Sequence, residues 1–172
     1  MIHNVSVPID CETCKPTWDD TFFALMEVIS LRSDDQRTKV GCVIVREDNT
    51  VVSLGYNGAP RGVDNARVGI PLDQDQSVKY PFVEHADRNA IFNAHRVGVS
   101  VFGCTMYLPW LPCAECSRAI IQSGIAQVVV LSGIVEQRWR ESCYNGMLMM
   151  EEAGVCVRAR GIGGLTAERY AR

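Results

Sequence analysis

TMYLPWLPCAECSRAIIQSGIAQVVVL, residues 105–131, is the stretch that decides the fold. Thr105 to Leu108 is a short β-rich run. Pro112 then introduces a helical segment from Cys113 to about Gln122, and Gly124 stops it. Val128 to Leu131 is a continuous apolar strand of the kind buried on both faces. Strand, helix and strand in that order require a parallel pair joined by a crossover helix.

The same alternation extends in both directions. Upstream, a helix is expected from about His85 to Arg96, with Ala86, Ala90, Ile91 and Ala94 as its apolar positions. Val40–Val45 and Val51–Tyr56 read as two strands, with Glu47, Asp48 and Asn49 forming the hairpin turn. Thr17 reads as a helix cap with Asp20 near the helix N-terminus. Phe22, Leu25, Met26 and Ile29 then recur at helical spacing to about Arg32. Downstream, Glu136 to about Ala153 is helical in pattern and ends at Gly154, and Val155–Ala159 is the last strand. Gly161 to Gly164 is expected to break regular structure. Residues 57–80 read as one long loop, a length at which loops are functional or disordered. The expected architecture is a three-layer α/β/α domain around a five-stranded mixed sheet. Residues 1–16 form an N-terminal arm, 17–160 the domain and 161–172 a C-terminal tail.

The composition fits a folded domain of this kind. A chain of 172 residues with 47% hydrophobic and 22% charged residues resembles neither a disordered chain nor a rod. No apolar run approaches the roughly 20 residues of a membrane helix. The start, MIHNVSVPIDCETC, lacks the basic and apolar segments of a secretory signal. With a formal net charge of -3 and no basic stripe, the expected partner is a small molecule, with neither a nucleic-acid polymer nor a membrane.

Eight cysteines are too sparse for a disulfide scaffold. Reduced thiols in a cytoplasmic setting are expected, serving as small core residues or as metal ligands. Cys42, Cys104, Cys143 and Cys156 stand alone among apolar neighbours and read as core. Two pairs carry metal-type spacing, Cys11 with Cys14 and Cys113 with Cys116. Cys113 and Cys116 share a helix face near a helix N-terminus, whose partial positive charge favours thiolates. With His85 at the start of the preceding helix they offer three ligands for Zn²⁺. Three protein ligands leave a fourth position for chemistry, and a purely structural ion would need a fourth ligand that is not adjacent.

His85-Ala86-Asp87 followed by Pro112-Cys113-Ala114-Glu115-Cys116 is close to the H-x-E…P-C-x-x-C signature of zinc deaminases. The chain resembles the cytidine deaminase superfamily and, within it, the deoxycytidylate (dCMP) deaminases. Beyond the metal motif, the resemblance is carried by Val40-Gly41, Gly55 to Gly62, Lys79 to Val83, Asn89 to Ile91, Met106-Tyr107 and Ile120 to Ile125. It implies one catalytic Zn²⁺ on His85, Cys113 and Cys116. It also implies attack of activated water at C4 of a cytosine ring, with loss of ammonia and conversion of dCMP to dUMP. The carboxylate two residues after the histidine moves the protons. Asn57 matches a position that contacts the nucleotide, although Asn-Gly is also a turn dipeptide. Lys39, Arg37 and Arg61 are candidates for the phosphate. The family forms homo-oligomers, commonly dimers or hexamers, and some members respond to dCTP and dTTP. Met147 to Met150 is compatible with an interface and equally with core packing.

One position departs from the pattern. The family has glutamate at the proton-shuttle position, where this chain has Asp87, shorter by one carbon–carbon bond of about 1.5 Å. A misplacement of about 1 Å can cost on the order of 10²-fold in rate. Asp87 is expected to remain the shuttle in a weakened or re-tuned site. Deamination of a different ring, or a non-catalytic nucleotide-binding role, is the alternative. Glu84 precedes the ligand by one residue and points elsewhere, since successive helical residues lie about 100° apart. Cys11 and Cys14, with His3, offer part of a second zinc site, or simply two thiols on a flexible arm. Trp110 walls the pocket or packs in the core. His95, Arg88, Arg96, Arg138 and Arg140 are expected on solvated faces.

Overall fold

A computed structural model describes residues 15–132, 136–160 and 162–164. Its strands are β1 (Gly41–Val45), β2 (Val51–Tyr56), β3 (Thr105–Leu108), β4 (Gln127–Val130), β5 (Cys156–Ala159) and β6 (Ile162–Gly164). Its α-helices are α1 (Trp18–Ser30), α2 (Ala86–Arg96), α3 (Ala114–Gln122) and α4 (Arg140–Glu152). The strands form one sheet in the order β2-β1-β3-β4-β5-β6. β1 runs antiparallel to both β2 and β3, whereas β3, β4 and β5 are mutually parallel.

The five expected strands are all present, and a sixth is added. Residues 162–164, expected to interrupt regular structure, pair antiparallel with β5 at the sheet edge. An edge strand needs only one hydrogen-bonding partner, so a glycine-rich segment that cannot hold an interior position still closes the sheet there. The long loop between β2 and α2 is more ordered than its composition suggests. It contains two 3-10 helices, Asn65–Arg67 and Gln76–Phe82, each capped by an aspartate. A 3-10 turn at Gln137–Trp139 also precedes α4, so regular α-helix begins later than Glu136.

Side-chain alternation divides the core between the two faces of the sheet. Cys42, Ile44, Met106, Leu108, Val128 and Val130 face one side and pack with Ala86, Ala90 and Ala94 of α2, Ile120 of α3, and Met147 and Met150 of α4. Val43, Val45, Tyr107 and Val129 face the other side and pack against Phe22, Phe23 and Met26 of α1. Apolar burial on both faces explains why β1 and β4 read as unbroken apolar runs. The distribution of helices follows from handedness. The connections from β2 to β3, β3 to β4 and β4 to β5 all advance in one direction across the sheet, and right-handed crossovers place their helices on one face. The opposite face is left to α1. There Asp19 accepts hydrogen bonds from the Tyr107 hydroxyl at 2.8 Å and from Arg158 at 2.6 and 2.8 Å, tying α1 to β3 and β5.

Thr17 caps α1, its Oγ1 accepting from the Asp20 backbone at 3.2 Å. Gly124 adopts φ +75°, the left-handed conformation that ends α3. Met147 and Met150 are core residues, whereas Leu148 is exposed. Cys42, Cys104 and Cys143 are buried as expected; Cys156 is exposed, because the first residue of β5 turns its side chain to solvent.

Gly55 fixes how closely β2 approaches α2. A Cβ there would overlap the Ala86 carbonyl oxygen and lie 2.5 Å from the Ala90 nitrogen. Ala86 sits between His85 and Asp87, so a clash at Gly55 acts directly on the start of α2. Gly55→Ala is expected to destabilise the fold by about 1–3 kcal/mol, the usual cost of overpacking. Thermal unfolding measures this loss, and a melting temperature equal to that of the parent contradicts the close approach.

Candidate metal and active site

β2 and β3 flank β1 and run parallel, so the helices that follow them begin at the same end of the sheet. His85 is the N-terminal cap residue of α2 and Cys113 that of α3, and neither side chain caps its own helix. Both are therefore available for other contacts. Cys116 lies one turn into α3 on the face of Cys113. The backbone N–H of Ala114 instead donates to the Ser142 hydroxyl at 3.1 Å, so α4 supplies the polar contact at the start of α3.

The three predicted ligands converge. His85 Nδ1 is 3.3 Å from Cys116 Sγ and 3.6 Å from Cys113 Sγ, and the two sulfurs are 3.5 Å apart. These ligand atoms all lie within 4.8 Å of one another, the only such cluster of three among the described residues. Two thiols and an imidazole are a donor set suited to Zn²⁺, and such spacing allows one ion to reach all three.

Without an ion the cluster shares protons. Its hydrogen bond from Cys116, assisted by His85, lowers the Cys113 thiol to about 4. The hydrogen bond to Cys113 raises His85 to about 9 despite its burial. Cys116, hydrogen-bonded to Cys113 and itself buried, is pushed far upward. The shifts favour charge on Cys113 and His85 and a proton on Cys116. A divalent ion must displace the protons on His85 and Cys116 to use all three groups. Zinc affinity is therefore expected to rise with pH up to about 9, by about tenfold per unit for each proton displaced. Chelator-competition titrations between pH 6 and 9 measure this slope, and an affinity independent of pH contradicts the ligand assignment.

Asp87 occupies the first turn of α2 and is 6% exposed. Burial raises its carboxyl above the usual range, although the positive charge of His85 opposes this. A carboxyl raised by burial accepts a proton more readily than an exposed one. Glu84 is differently placed. Its Oε1 accepts from the His85 backbone at 3.0 Å and pairs with Arg88 Nε at 3.1 Å. It does not line the cavity.

Asp87, His85 and Cys113 open onto a cleft enclosing about 800 Å³, solvent at its mouth included. Trp110 forms part of its wall and is 38% exposed, so it is not a core residue. Asn57 also lines it. The amide binds backbone groups, with Nδ2 donating to the Thr38 carbonyl at 2.9 Å and Oδ1 accepting from the Val40 N–H at 2.8 Å. One amide hydrogen and one lone pair remain for a ligand.

None of the three candidate phosphate cations lines the cleft. Lys39 donates to the Ser33 carbonyl and Arg61 to Asn93, while Arg37 is exposed. Arg138, expected on a solvated face, instead lines the cleft, because the 3-10 turn before α4 carries it there. Arg88, Arg96, Arg140 and His95 do not line it. Sequence reasoning also missed a buried ion pair in the wall. Lys79 Nζ is 2.7 Å from Asp35 Oδ1, and the two residues are 2% and 3% exposed. Nothing in the spacing of two residues 44 positions apart signals that contact. Cys143 borders the cleft as well, but burial raises its thiol to about 12, and it donates to the Leu111 carbonyl at 3.4 Å. Cys11, Cys14 and His3 lie outside the described residues.

A three-layer α/β/α fold with two thiols and an imidazole at paired helix tips, beside a buried carboxyl, defines the hydrolytic zinc-deaminase class. The family model for the cytidine and deoxycytidylate deaminase zinc-binding region matches residues 16–132, and the chain belongs to that family. A probable deoxycytidylate deaminase of Caenorhabditis elegans is 40% identical over 121 residues, 70% of this chain and 60% of that protein. The deoxycytidylate deaminase of Pongo abelii is 34% identical over 143 residues, covering 82% of this chain and 78% of the relative. Among solved structures, a dCMP deaminase from the cyanophage S-TIM5 in complex with dCMP and dUMP superposes with a TM-score of 0.68 at 26% identity. That match covers 85% of this chain and 98% of the phage protein.

Proposed function

We propose that this protein is a zinc-dependent hydrolase that converts dCMP and water to dUMP and ammonia. The observation that carries the reading is the convergence of His85, Cys113 and Cys116 beside the buried Asp87 at one cleft. The named activities of the nematode and orangutan relatives, and the dCMP and dUMP bound by the phage enzyme, support the choice of substrate.

His85, Cys113 and Cys116 hold the zinc ion, which when bound supplies Lewis-acid polarisation and lowers the pKa of water to about 7. Asp87 accepts the two protons of the attacking water in turn, the first passing to ring N3 on attack and the second, from the new C4 hydroxyl, to the departing amine, so it ends the cycle in its starting state. Its raised carboxyl suits both transfers. Asn57 fixes the nucleotide through the amide hydrogen not used by Thr38. Residues 17–160 constitute the deaminase domain, with 1–16 as arm and 161–172 as tail. The family match beginning at residue 16 supports the first boundary, whereas the pairing of β6 joins the start of the tail to the sheet.

A cytoplasmic, homo-oligomeric enzyme, dimer or hexamer, with dCTP and dTTP as effectors completes the reading. The cysteines found free among the described residues support a reducing compartment. No helix in those residues is long and apolar enough to cross a membrane. Trp18 and Val28 on α1 and Leu31 at its C-terminal cap are exposed apolar side chains, which supports self-association.

Steady-state turnover of dCMP tests the assignment. Asp87→Ala is expected to lose about 10²–10⁴-fold in kcat. Asp87→Glu, which restores the longer reach, is expected to raise kcat by up to about 10²-fold. An Ala variant equal to the parent removes Asp87 from the chemistry. A parent inactive on dCMP but active on another amino-substituted ring moves the substrate assignment. Metal analysis by mass spectrometry addresses the arm: two zinc ions per chain support a second site at Cys11 and Cys14, and one overturns it.

A further inference from the structure

The cleft has two long cationic side chains among its described lining residues, Lys79 and Arg138. They stand in opposite electrostatic situations. Lys79 is buried and already paired, with Asp35 Oδ1 at 2.7 Å and Gln76 Oε1 at 3.1 Å. An anion brought to Lys79 would meet the Asp35 carboxylate in a site that water cannot screen. Arg138 is 38% exposed at its side chain, where an anion can arrive without being stripped of all its water.

Its neighbours hold Arg138 in place. The guanidinium carbon lies 5.5 Å from the Tyr80 ring centre and 5.7 Å from that of Trp139, within the range of cation–π attraction. Nη1 donates to the Tyr80 hydroxyl, and Nε pairs with Glu136 at 2.8 Å. Among the described residues Nη2 has no recorded hydrogen-bond partner, and the Tyr80 hydroxyl, having accepted from Nη1, keeps its own hydrogen. Glu136 is 59% exposed and occupies the Nε edge, where solvent weakens its charge.

The position of this donor pair is set from the metal end. Trp139, next in the chain, packs edge-on against the His85 ring at 5.9 Å and 84°. It packs similarly against Tyr80 at 6.4 Å. One indole therefore touches both the metal ligand and the arginine, so the two ends of the cleft share a wall.

We propose that Arg138 Nη2 and the Tyr80 hydroxyl together bind the 5′-phosphate, so that the cleft selects nucleoside monophosphates over nucleosides. The proposal deepens the deaminase reading above and rests on it for the base end of the ligand. Arg138 acts here as a specificity residue, with no part in proton transfer.

The test uses the full-length, zinc-loaded protein, with dUMP, deoxyuridine, dGMP and inorganic phosphate as probes. Arg138→Gln keeps a polar stem but removes the charge. It is expected to weaken dUMP about 10- to 100-fold by calorimetry, the range for a charge-assisted hydrogen bond. The KM for dCMP should rise in parallel, while kcat and deoxyuridine affinity shift by less than about 3-fold. Arg138→Lys, which keeps the charge but loses the planar fork, should fall between parent and Gln variant. Tyr80→Phe should lower dUMP affinity by about 3- to 10-fold, the value of one neutral hydrogen bond. Equal losses for dUMP and deoxyuridine would mean that Arg138 only supports Trp139, and would overturn the proposal. An unchanged dUMP affinity overturns it too, as does a parent that binds none of the phosphate-bearing probes. A parent that binds dGMP or phosphate through Arg138 yet leaves dCMP intact keeps the phosphate site and overturns the substrate reading instead.

Discussion

Everything chemical in this protein depends on the meeting of two helix N-termini at one end of the sheet. β2 and β3 are parallel and separated only by β1, so α2 and α3 start side by side. Their cap positions are taken by His85 and Cys113, neither of which satisfies its own helix. The partial positive charge of helix starts favours thiolate at Cys113. Ser142 of α4 meets the backbone donor at Ala114, which leaves the sulfurs free to hold an ion.

That placement has consequences for the neighbouring groups. Side chains at a helix start inside a covered cleft are desolvated, and desolvation moves carboxyls and thiols toward their neutral forms. Asp87 is shifted upward in this way, as is Cys143. The first becomes a carboxyl that holds a proton more readily than an exposed one, and the second stays an inert thiol that donates to Leu111. Burial alone does not separate the two roles. Both border the cleft, but Asp87 lies within the electrostatic reach of His85, whereas the Cys143 thiol is turned to the Leu111 carbonyl.

The glycine at position 55 and the ion pair of Asp35 with Lys79 perform a related task at a distance. Gly55 lets β2 approach α2 closely enough to bring His85 to the sheet end. Asp35 accepts from the Arg37 and Thr38 backbones at 2.9 and 3.0 Å as well as from Lys79. Asn57 binds the same segment at Thr38 and Val40. This part of the cleft wall is thus a hydrogen-bonded unit built from three separate stretches of chain. Such satisfied polar networks are rigid, because loosening any member leaves another buried and unpaired.

The sequence by itself determined the layered fold, the five principal strands and the three converging ligands, because these are written in local periods and short spacings. Alternation of buried residues marks a strand, helical spacing marks a helix, and Cys-x-x-Cys places two sulfurs on one helix face. It also exposed the departure at Asp87, since one residue type at a fixed offset needs no three-dimensional information. Only the tertiary structure decided which cations reach the cleft. Lys39, Arg37 and Arg61 sit on segments near the site in sequence yet point away, while Lys79 and Arg138 arrive from a loop and a 3-10 turn. The strand at 162–164 was likewise invisible, because its pairing depends on a free sheet edge rather than on its own composition. Contacts between residues far apart in the chain have no period to read; they follow from how the crossovers stack the helices, which packing alone fixes.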